Sequence, residues 1–319
     1  MSPLTAPQQP DRADERAEAA APRGAGGSPG RRGRRTRSLP YVLVAPAVLV
    51  ALAVAIGPLV YGVWLSFQDW YMLRSPAPRW GGIENYRRLL QDGAFWLAFV
   101  RTLGWTLGTV AVELAIGVPL ALLLNRKGRL AEAASAVILL PWVTPFIVVA
   151  YAWRFLLDSQ VGVLHGLLAF LGVAGERSIL SDPTLAFVAI VVISGWKGVP
   201  FMVIAVLAAL KGISDEYYEA ARIDGANVGQ QFRFITLPLI ANTLVVISLV
   251  LGFLAFYSFD LAWLMTRGGP GQATTIVGIR VYQIFFNELR PAYAATISTA
   301  MLIVLLGTAM LSLRIRRPT

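Results

Sequence analysis

Long uncharged stretches, separated by short polar segments, dominate the pattern of this chain. Four stretches contain no charged residue, and two more contain a single one, Glu113 or Lys197. In chain order, the six stretches are Tyr41–Leu65, Thr102–Asn125, Ala133–Trp153, Pro183–Leu210, Phe234–Phe259 and Pro291–Leu313. An α-helix needs about 20 apolar residues to cross the hydrocarbon core of a bilayer. The pattern therefore predicts an all-α, polytopic membrane protein with six transmembrane helices, at about 41–66, 98–125, 133–157, 183–210, 239–264 and 291–313.

The composition agrees with a membrane protein. Hydrophobic residues make up 56% of the 319 positions and charged residues only 14%, against about a quarter in soluble domains. The first apolar stretch is longer than the roughly 7–15 residues of a signal-peptide core and lacks a clear cleavage site. We therefore expect it to be retained as a membrane span.

The distribution of basic residues predicts the orientation. With the N-terminus inside, the inside segments hold 17 Lys and Arg residues and the outside segments hold 8, as the positive-inside rule requires. Both termini are thus expected in the cytoplasm. Residues 1–39 lack aromatic residues and form a basic, disordered tail, and residues 316–319 form a second, short tail. The net charge of +10 is attributed to topology rather than to nucleic-acid binding.

The sequence offers little for catalysis. It contains one histidine, no cysteine and no phosphate-binding Gly-rich loop followed by Lys-Ser/Thr. Glu113 and Asp260 are the candidate carboxylates at membrane depth, which are few for an intramembrane enzyme or an ion-coupled carrier. We expect a transporter subunit without enzymatic activity of its own, and no metal or cofactor bound by this chain.

The predicted inside loop 211–238 is unusually long for a connection between spans. Ser214 precedes two acidic residues, as at a helix N-cap, and Gly225 provides a residue that tolerates the positive φ of a helix end. A second helical stretch, Val228–Thr236, is expected to stop at Pro238, before the next span. A helix–Gly–helix hairpin of this kind is suited to docking a partner, although a purely structural hairpin is the alternative.

The same loop resembles the EAA loop, the signature of permease subunits of binding-protein-dependent ABC importers. The matching residues are Glu219, Ala220, Ala221, Gly225, Ile235, Leu237 and Pro238, with both gaps of the motif preserved. The resemblance implies that this loop docks into a groove on a cytoplasmic ATPase. Glu219 and Asp224 would then make polar contacts to it, the two alanines would allow close packing, and Gly225 would allow the turn.

Other segments resemble the carbohydrate-importing subgroup, and its maltose-permease-like first subunit in particular. They are Gly82-Ile83-Glu84-Asn85-Tyr86, Ile223-Asp224-Gly225-Ala226, and Gly268-Gly269-Pro270 with Thr274 and Tyr282. The resemblance covers roughly residues 40–313. It implies the type I ABC importer permease fold and a place in a bacterial cytoplasmic membrane. The implied partners are a second permease subunit, two ATPase subunits that bind ATP and Mg²⁺, an extracytoplasmic solute-binding protein and a sugar.

The fourth span carries the candidate substrate path. Gly195, Gly198 and Pro200 surround Lys197 there, which predicts a weakened or bent helix lining a cavity. Lys197 is expected to pair with Glu113 or Asp260, or to snorkel. In the maltose-type permease the corresponding stretch contacts sugar. Trp196, Gly198, Pro200 and Phe201 match that stretch and Ser194 takes the place of an amide residue, so the resemblance assigns Ser194, Trp196, Gly198 and Phe201 to the path. Lys197 has no counterpart there and is added because it lies in the middle of the span. A packing role is the alternative for Trp196.

The fifth span departs from the maltose-type pattern. Leu251, Leu254 and Ala255 stand where that subgroup has polar contacts. Either the sugar is bound mainly by the extracytoplasmic protein, or this chain uses Tyr257, Ser258 and Asp260 instead.

Two other functions remain as alternatives. One is an ABC importer permease for glycerol phosphate or another small solute. The other is an ion-coupled secondary transporter, which would leave the EAA spacing without an explanation.

Overall fold

The part of the chain that the structure describes is mostly helical. The computed structural model describes residues 39–125, 128, 136–173, 175 and 177–315. The tail predicted over 1–39, apart from Leu39, and the tail 316–319 lie outside the described residues. Within them, the β-structure consists of one antiparallel ribbon that pairs Gln68 with Trp80 and Asp69 with Arg79.

The elements follow one another in a simple order. The first third comprises α1 (Leu39–Ser66), β1 (Gln68–Asp69), β2 (Arg79–Trp80), α2 (Glu84–Gln91) and α3 (Gly93–Leu124). The middle comprises α4 (Leu140–Val143), α5 (Phe146–Leu156), α6 (Val163–Phe170), a 3₁₀ turn (Ile179–Ser181), α7 (Pro183–Lys211), α8 (Asp215–Ile223) and α9 (Val228–Gln231). The last part comprises α10 (Leu237–Phe256), α11 (Asp260–Thr266), α12 (Val277–Tyr282) and α13 (Pro291–Ile315).

Membrane-length helices occur where the apolar pattern predicts them. Within the described ranges, five helices are long and apolar enough to cross a membrane. There are six if the bent pair Ala136–Val143 and Phe146–Leu156, whose axes differ by 99°, forms a single span. The chain divides into two compact units at Pro58, so that only the first part of α1 belongs to the first unit among the described residues. Everything below concerns the second unit.

Close approach of α3 and α7 forms the centre of this unit. Gly195 on α7 lies so near α3 that an added Cβ would stand 2.6 Å from the Cβ of Val112. In the same way, a Cβ on Gly108 of α3 would stand 2.8 Å from a methyl carbon of Val191. Small residues at such contacts let helix backbones approach closely, which is the usual way helices associate in a membrane.

The fourth span is not interrupted where its glycines and proline suggested. Residues Pro183–Lys211 form one continuous helix with Pro200 inside it. No break occurs there, and Gly195 and Gly198 instead permit close packing against α3. The breaks lie elsewhere: between Val143 and Phe146, and at Tyr257–Phe259, between α10 and α11.

The Gly-x-x-Asn-Tyr element closes the loop after α1. The side-chain amide of Asn85 donates to the carbonyl oxygens of Gln68 at 2.7 Å and Ser66 at 3.3 Å. The Tyr86 hydroxyl lies 2.6 Å from the Ser66 hydroxyl. The Thr296 hydroxyl also donates to the Ser66 carbonyl, at 3.0 Å, so this element joins the end of α1 to α13.

Candidate functional site

The 211–238 loop begins with a well-capped helix. The Ser214 hydroxyl accepts from the backbone N–H of Glu216 at 3.4 Å, at the start of α8. At the other end, Gly225 has φ +79°. The N–H of Ala226 donates to the Ala221 carbonyl at 2.8 Å, and that of Gly225 to the Arg222 carbonyl at 3.1 Å. These two bonds form a Schellman motif, so the predicted helix and its glycine terminus are both present.

The second half of the loop continues into the next span instead of stopping. Asn227 and Gln230 form a reciprocal capping box at the start of α9, and Phe232–Thr236 then form a π-helical segment that leads into α10. The Leu237 N–H donates to the Phe232 carbonyl, five residues back. The prediction that the helix stops at Pro238 is wrong because this wider turn accommodates a proline, which lacks an N–H.

The loop presents a largely exposed surface. Neither α8 nor α9 contains a buried residue. Glu219, Ala220, Asp224 and Gly225 are exposed, Ala221 and Ile235 are half-buried, and Leu237 and Pro238 are exposed. Four large apolar side chains are also exposed on the loop: Tyr217, Ile223, Val228 and Phe234.

One side-chain bond holds the two parts of the loop together. The hydroxyls of Tyr218 on α8 and Thr236 in the π segment lie 3.0 Å apart. Thr236 itself is buried. With both helices capped and this bond between them, the residues of the EAA motif lie on a rigid, solvent-facing unit.

A cavity of about 300 Å³ lies between α3, the α4–α5 break, α7 and the end of α10. Its lining residues are Trp105, Thr109, Glu113, Trp142, Phe146, Ser194, Lys197, Gly198, Phe201, Leu251, Leu254, Ala255, Tyr257, Ser258 and Asp260. Seven of the eight residues assigned to the path from the sequence line this one cavity. The exception is Trp196.

The helical repeat explains which residues of α7 reach the cavity. Ser194, Lys197, Gly198 and Phe201 follow the i, i+3, i+4, i+7 spacing that places side chains on one face. Trp196 is about 200° around the helix from Ser194 at 100° per residue. It packs edge-to-face on Trp153, with ring centroids 5.5 Å apart, and so corresponds to the packing alternative rather than to a cavity wall.

The opposite wall comes from α3 and was not assigned from the sequence. Trp105, Thr109 and Glu113 are four residues apart, which puts them on one face of the helix. Each is at most 3% exposed. This spacing of polar and aromatic side chains in an otherwise apolar span is the signal that identifies the wall.

Four buried polar atoms belong to residues that line the cavity and have no hydrogen-bond partner within the described structure. They are Trp105 Nε1, Thr109 Oγ1, Glu113 Oε2 and Ser194 Oγ. An unpaired buried polar group costs about 1–3 kcal/mol. Such a concentration in one cavity is therefore typical of a site that a polar ligand or water completes.

The Lys197 ammonium group is fully engaged by backbone. Nζ donates to the carbonyl oxygens of Pro141 at 2.9 Å, Trp142 at 3.3 Å and Thr144 at 2.7 Å. Among the described residues, no ion pair joins it to Glu113 or Asp260. The expected carboxylate pairing is therefore wrong, because the bend between α4 and α5 brings carbonyl groups closer to the ammonium group.

The fifth-span wall is divided between apolar and polar residues. Leu251, Leu254 and Ala255 give it an apolar surface, and Tyr257, Ser258 and Asp260 follow at the break after α10. This arrangement offers hydrogen-bonding groups and apolar surface without a nucleophile–base pair. Within the described residues there is also no group of three or more His, Cys, Asp or Glu side chains that could hold a metal ion. The lining offers groups that can bind a solute with both polar and apolar parts.

Relatives of known type share most of the chain. The trehalose/maltose transport system permease protein MalF of Thermococcus litoralis is 31% identical over 281 residues, covering 88% of this chain and 94% of that protein. The sulfoquinovosyl glycerol transport system permease protein SmoG of Agrobacterium fabrum is 32% identical over 283 residues, covering 88% and 91%.

Solved structures show the same fold. A bacterial alginate ABC transporter, in complex with a periplasmic protein bound to an alginate pentasaccharide, contains a chain that superposes with a TM-score of 0.71. The sequence identity is 22%, and the match covers 88% of this chain and 96% of that one.

The family comparison covers the loop and most of the residues that line the cavity. The model of the binding-protein-dependent transport system inner membrane component matches residues 113–317, a range that begins at the cavity residue Glu113 and includes all of α7 to α10. Together with the relatives' identity over nearly the whole chain, this match establishes that the protein belongs to the family of binding-protein-dependent transport system inner membrane components.

Proposed function

We propose that this chain is the membrane-spanning permease subunit of an ATP-driven importer of a sugar or oligosaccharide. It works by alternating access: ATPase closure on the cytoplasmic side moves the 211–238 loop and thereby opens or closes the cavity. The chain has no enzymatic activity of its own. ATP and Mg²⁺ are bound by partner subunits.

The polar residues that line the cavity are the observation that carries this proposal. They include the indole N–H donor of Trp105, the carboxyl group of Glu113, and the hydroxyl groups of Thr109 and Ser194, which can donate or accept. Trp142, Phe146 and Phe201 add aromatic surface. A sugar offers hydroxyl groups that both donate and accept, together with apolar C–H faces that pack on aromatic rings. The lining therefore matches a polyhydroxylated solute better than a purely apolar one.

The relatives support the same class of solute. One is named for trehalose and maltose and another for sulfoquinovosyl glycerol, and the similar solved structure is that of an alginate transporter. All three names refer to carbohydrates or their derivatives, although these differ in size and charge.

The exposed loop supports a partner on the cytoplasmic side. Exposed apolar side chains such as Ile223 and Val228, 87% and 82% exposed, are typical of a surface that a partner covers. We assign this surface to an ATPase subunit, with Glu219 and Asp224 in polar contact and Ala220 and Ala221 in close contact. A complete importer would further contain a second permease subunit, a second ATPase subunit and an extracytoplasmic solute-binding protein.

The topology belongs to the same proposal. The bent pair Ala136–Val143 and Phe146–Leu156 acts as one span, which gives six crossings. The excess of basic residues in the predicted inside segments then places both termini and the 211–238 loop in the cytoplasm of a bacterial cell.

Reconstitution of the chain with its genetic neighbours tests the function. The expected result is that the binding protein together with its sugar stimulates ATP hydrolysis and drives sugar uptake into vesicles. Stimulation by glycerol phosphate but not by any sugar would overturn the substrate class. Uptake by this chain alone, driven by a proton or sodium gradient, would overturn the ABC importer.

A further inference from the structure

The break between α4 and α5 leaves backbone carbonyl groups without their helical donors. In a straight helix the carbonyl of Pro141 would accept from the N–H of residue 145, but that residue is Pro145 and has no N–H. The axes on the two sides of the break differ by 99°. At membrane depth such groups need partners from the protein or from water in a cavity, so a side-chain donor here stabilises them.

Lys197 supplies that donor from the neighbouring helix α7. An ammonium group has three N–H donors and no acceptor, and its three contacts are the carbonyls of Pro141, Trp142 and Thr144. Nζ also lies 4.5 Å from the centre of the Phe146 ring, within the range of a cation–π interaction. The positive charge faces the C-terminal end of a helix, where the backbone dipole is negative.

These contacts fix the two aromatic residues that this segment contributes to the cavity. Trp142 precedes the break and Phe146 follows it, and both line the cavity. The Trp142 ring meets Phe201 of α7 edge-to-face, with centroids 5.0 Å apart. Phe201 lies one helical turn from Lys197, so the bent segment is attached to α7 at two neighbouring points.

We propose that Lys197 is a positioning residue: it fastens the bent third apolar segment to α7 and thereby holds Trp142 and Phe146 in the cavity wall. Its ammonium group binds backbone carbonyl groups with all three N–H donors, so none is free to bind an anionic solute. The part of this proposal that concerns transport rests on the function proposed above. The fastening itself does not, and is measured separately.

The absence of cysteine from the chain permits a direct measurement of the bend. Val137 and Phe155, on opposite sides of the break, are 62% and 61% exposed. Both are replaced by cysteine and carry nitroxide spin labels in the full-length protein in nanodiscs. At 1.5 Å per residue, their backbones are separated by roughly 17 Å with the observed bend and by roughly 27 Å in a straight helix.

With Lys197 present, we expect one narrow distribution of the distance between the two labels. In Lys197→Met we expect a broad distribution that reaches distances up to about 10 Å longer. Lys197→Arg keeps the charge and several donors and should retain a narrow peak. Lys197→Gln keeps two donors and should give an intermediate width; it serves as the test if the Met variant does not insert. Ile204→Met, at an exposed position of the same helix, is the control for introducing methionine. Distributions for Lys197→Met or Lys197→Gln that match the unmodified protein would overturn the proposal.

Sugar uptake by the reconstituted importer is the second readout. Lys197→Met should lose most of the uptake and Lys197→Arg should retain a larger share. The loss of uptake should thus increase with the width of the distance distribution. Unchanged uptake in a variant with a broadened distribution would contradict the positioning role. If the distances change as expected but the unmodified protein takes up no sugar, then the proposed function fails and the fastening stands.

Discussion

At the scale of single residues, the loop glycine Gly225 is required for its backbone conformation. Its φ is +79°, yet an added Cβ would meet nothing within 4 Å. The cost of a side chain is therefore the left-handed backbone, roughly 1–2 kcal/mol for an ordinary residue, and not a collision. Asparagine tolerates this region better than most residues.

Gly225→Val should consequently abolish most of the uptake while the protein still inserts in the membrane. Gly225→Asn should retain substantially more, because it adds a side chain of similar size without the same strain. The two variants are compared by uptake per unit of protein in the membrane fraction. An equal loss of uptake in both variants would indicate that a partner leaves no room for any side chain at this position. The positive φ would then not explain why glycine is required.

Gly195 is required for a different reason, because there is no space for a side chain between α7 and α3. A Cβ there would stand 2.6 Å from Val112 and 3.0 Å from the carbonyl oxygen of Thr109. Gly195→Ala should destabilise the protein by about 1–3 kcal/mol, as is typical of overpacking. Gly166→Ala, in a helix where an added Cβ would meet nothing within 4 Å, is the matched control and should not lower the thermal unfolding temperature in detergent. A Gly195→Ala protein as stable as this control would contradict close packing of α3 on α7.

Seven of the fifteen residues that line the cavity were assigned from the sequence, but their orientation was not. Ser194 and Phe201 were assigned through a family resemblance and Lys197 from its place in the middle of the span, and their common helical face was not used to exclude Trp196. The cavity wall formed by Thr109 and Glu113 could have been predicted from their four-residue spacing alone. The hydrogen-bond partners of Lys197 could not be predicted from the sequence, because they are backbone carbonyl groups and every residue has one.

At the scale of elements, Asp92 joins the start of α3 to α13. One carboxylate oxygen accepts from the N–H groups of Ala94 at 3.0 Å and Phe95 at 3.2 Å. The other accepts from the Tyr293 hydroxyl at 2.7 Å. Burial alone would raise the pKa of Asp92, but the bond from Tyr293, the two N–H groups and the nearby Arg280 outweigh it, so the pKa lies below its ordinary value of 3.8.

This lowered pKa implies a defined pH dependence of stability. A carboxyl group whose pKa is lower in the folded state stabilises the protein above the unfolded-state pKa, and this contribution is lost as the pH falls through the folded-state value. Asp92→Asn keeps a good N-cap but cannot ionise. The difference in unfolding temperature between the two proteins should therefore be constant above about pH 5 and shrink below about pH 4. A difference that stays constant down to pH 3 would show that the Asp92 charge does not contribute.

The sequence predicted the positions of the elements better than their interruptions. Apolar length located the membrane-length helices because burial in lipid requires it, and Ser214 and Gly225 correctly delimited α8. Glycine and proline were misread in α7, since a glycine needed for close packing has the same sequence signature as one that breaks a helix. The continuation through Pro238 depends on a π segment, whose wider turn leaves no pattern in the side chains.

At the scale of the whole molecule, one helix joins the two candidate sites. The cavity residues Ser194 and Lys197 and the start of the loop at Ser214 are connected by α7, which runs without interruption to Lys211. The stretch from Ser194 to Lys211 is about 17 residue steps along the helix, or roughly 26 Å. A displacement of the loop by a partner would thus be transmitted to the cavity by a rigid element, as the proposed coupling requires.

The topology decides whether the loop and the outside ribbon lie on opposite sides of the membrane, and it depends on the bent pair. Trp80 in the ribbon and Ile223 in the loop are 73% and 87% exposed. Between them lie α3, the pair Ala136–Val143 and Phe146–Leu156, and α7. If the pair crosses, the number of crossings is three and the two residues lie on opposite sides. If the pair is re-entrant, the number is two and they lie on the same side.

Single cysteines in this cysteine-free chain distinguish the two topologies in intact cells. With a membrane-impermeant maleimide, we expect Trp80→Cys to react at once and Ile223→Cys to react only after permeabilisation. Phe170→Cys, 87% exposed and located between the pair and α7, should react from outside like Trp80→Cys. Reaction of both Trp80→Cys and Ile223→Cys from outside would make the pair re-entrant and remove the loop from the cytoplasm. The proposed ATPase docking surface would then be wrong, even though the family and the cavity would be unchanged.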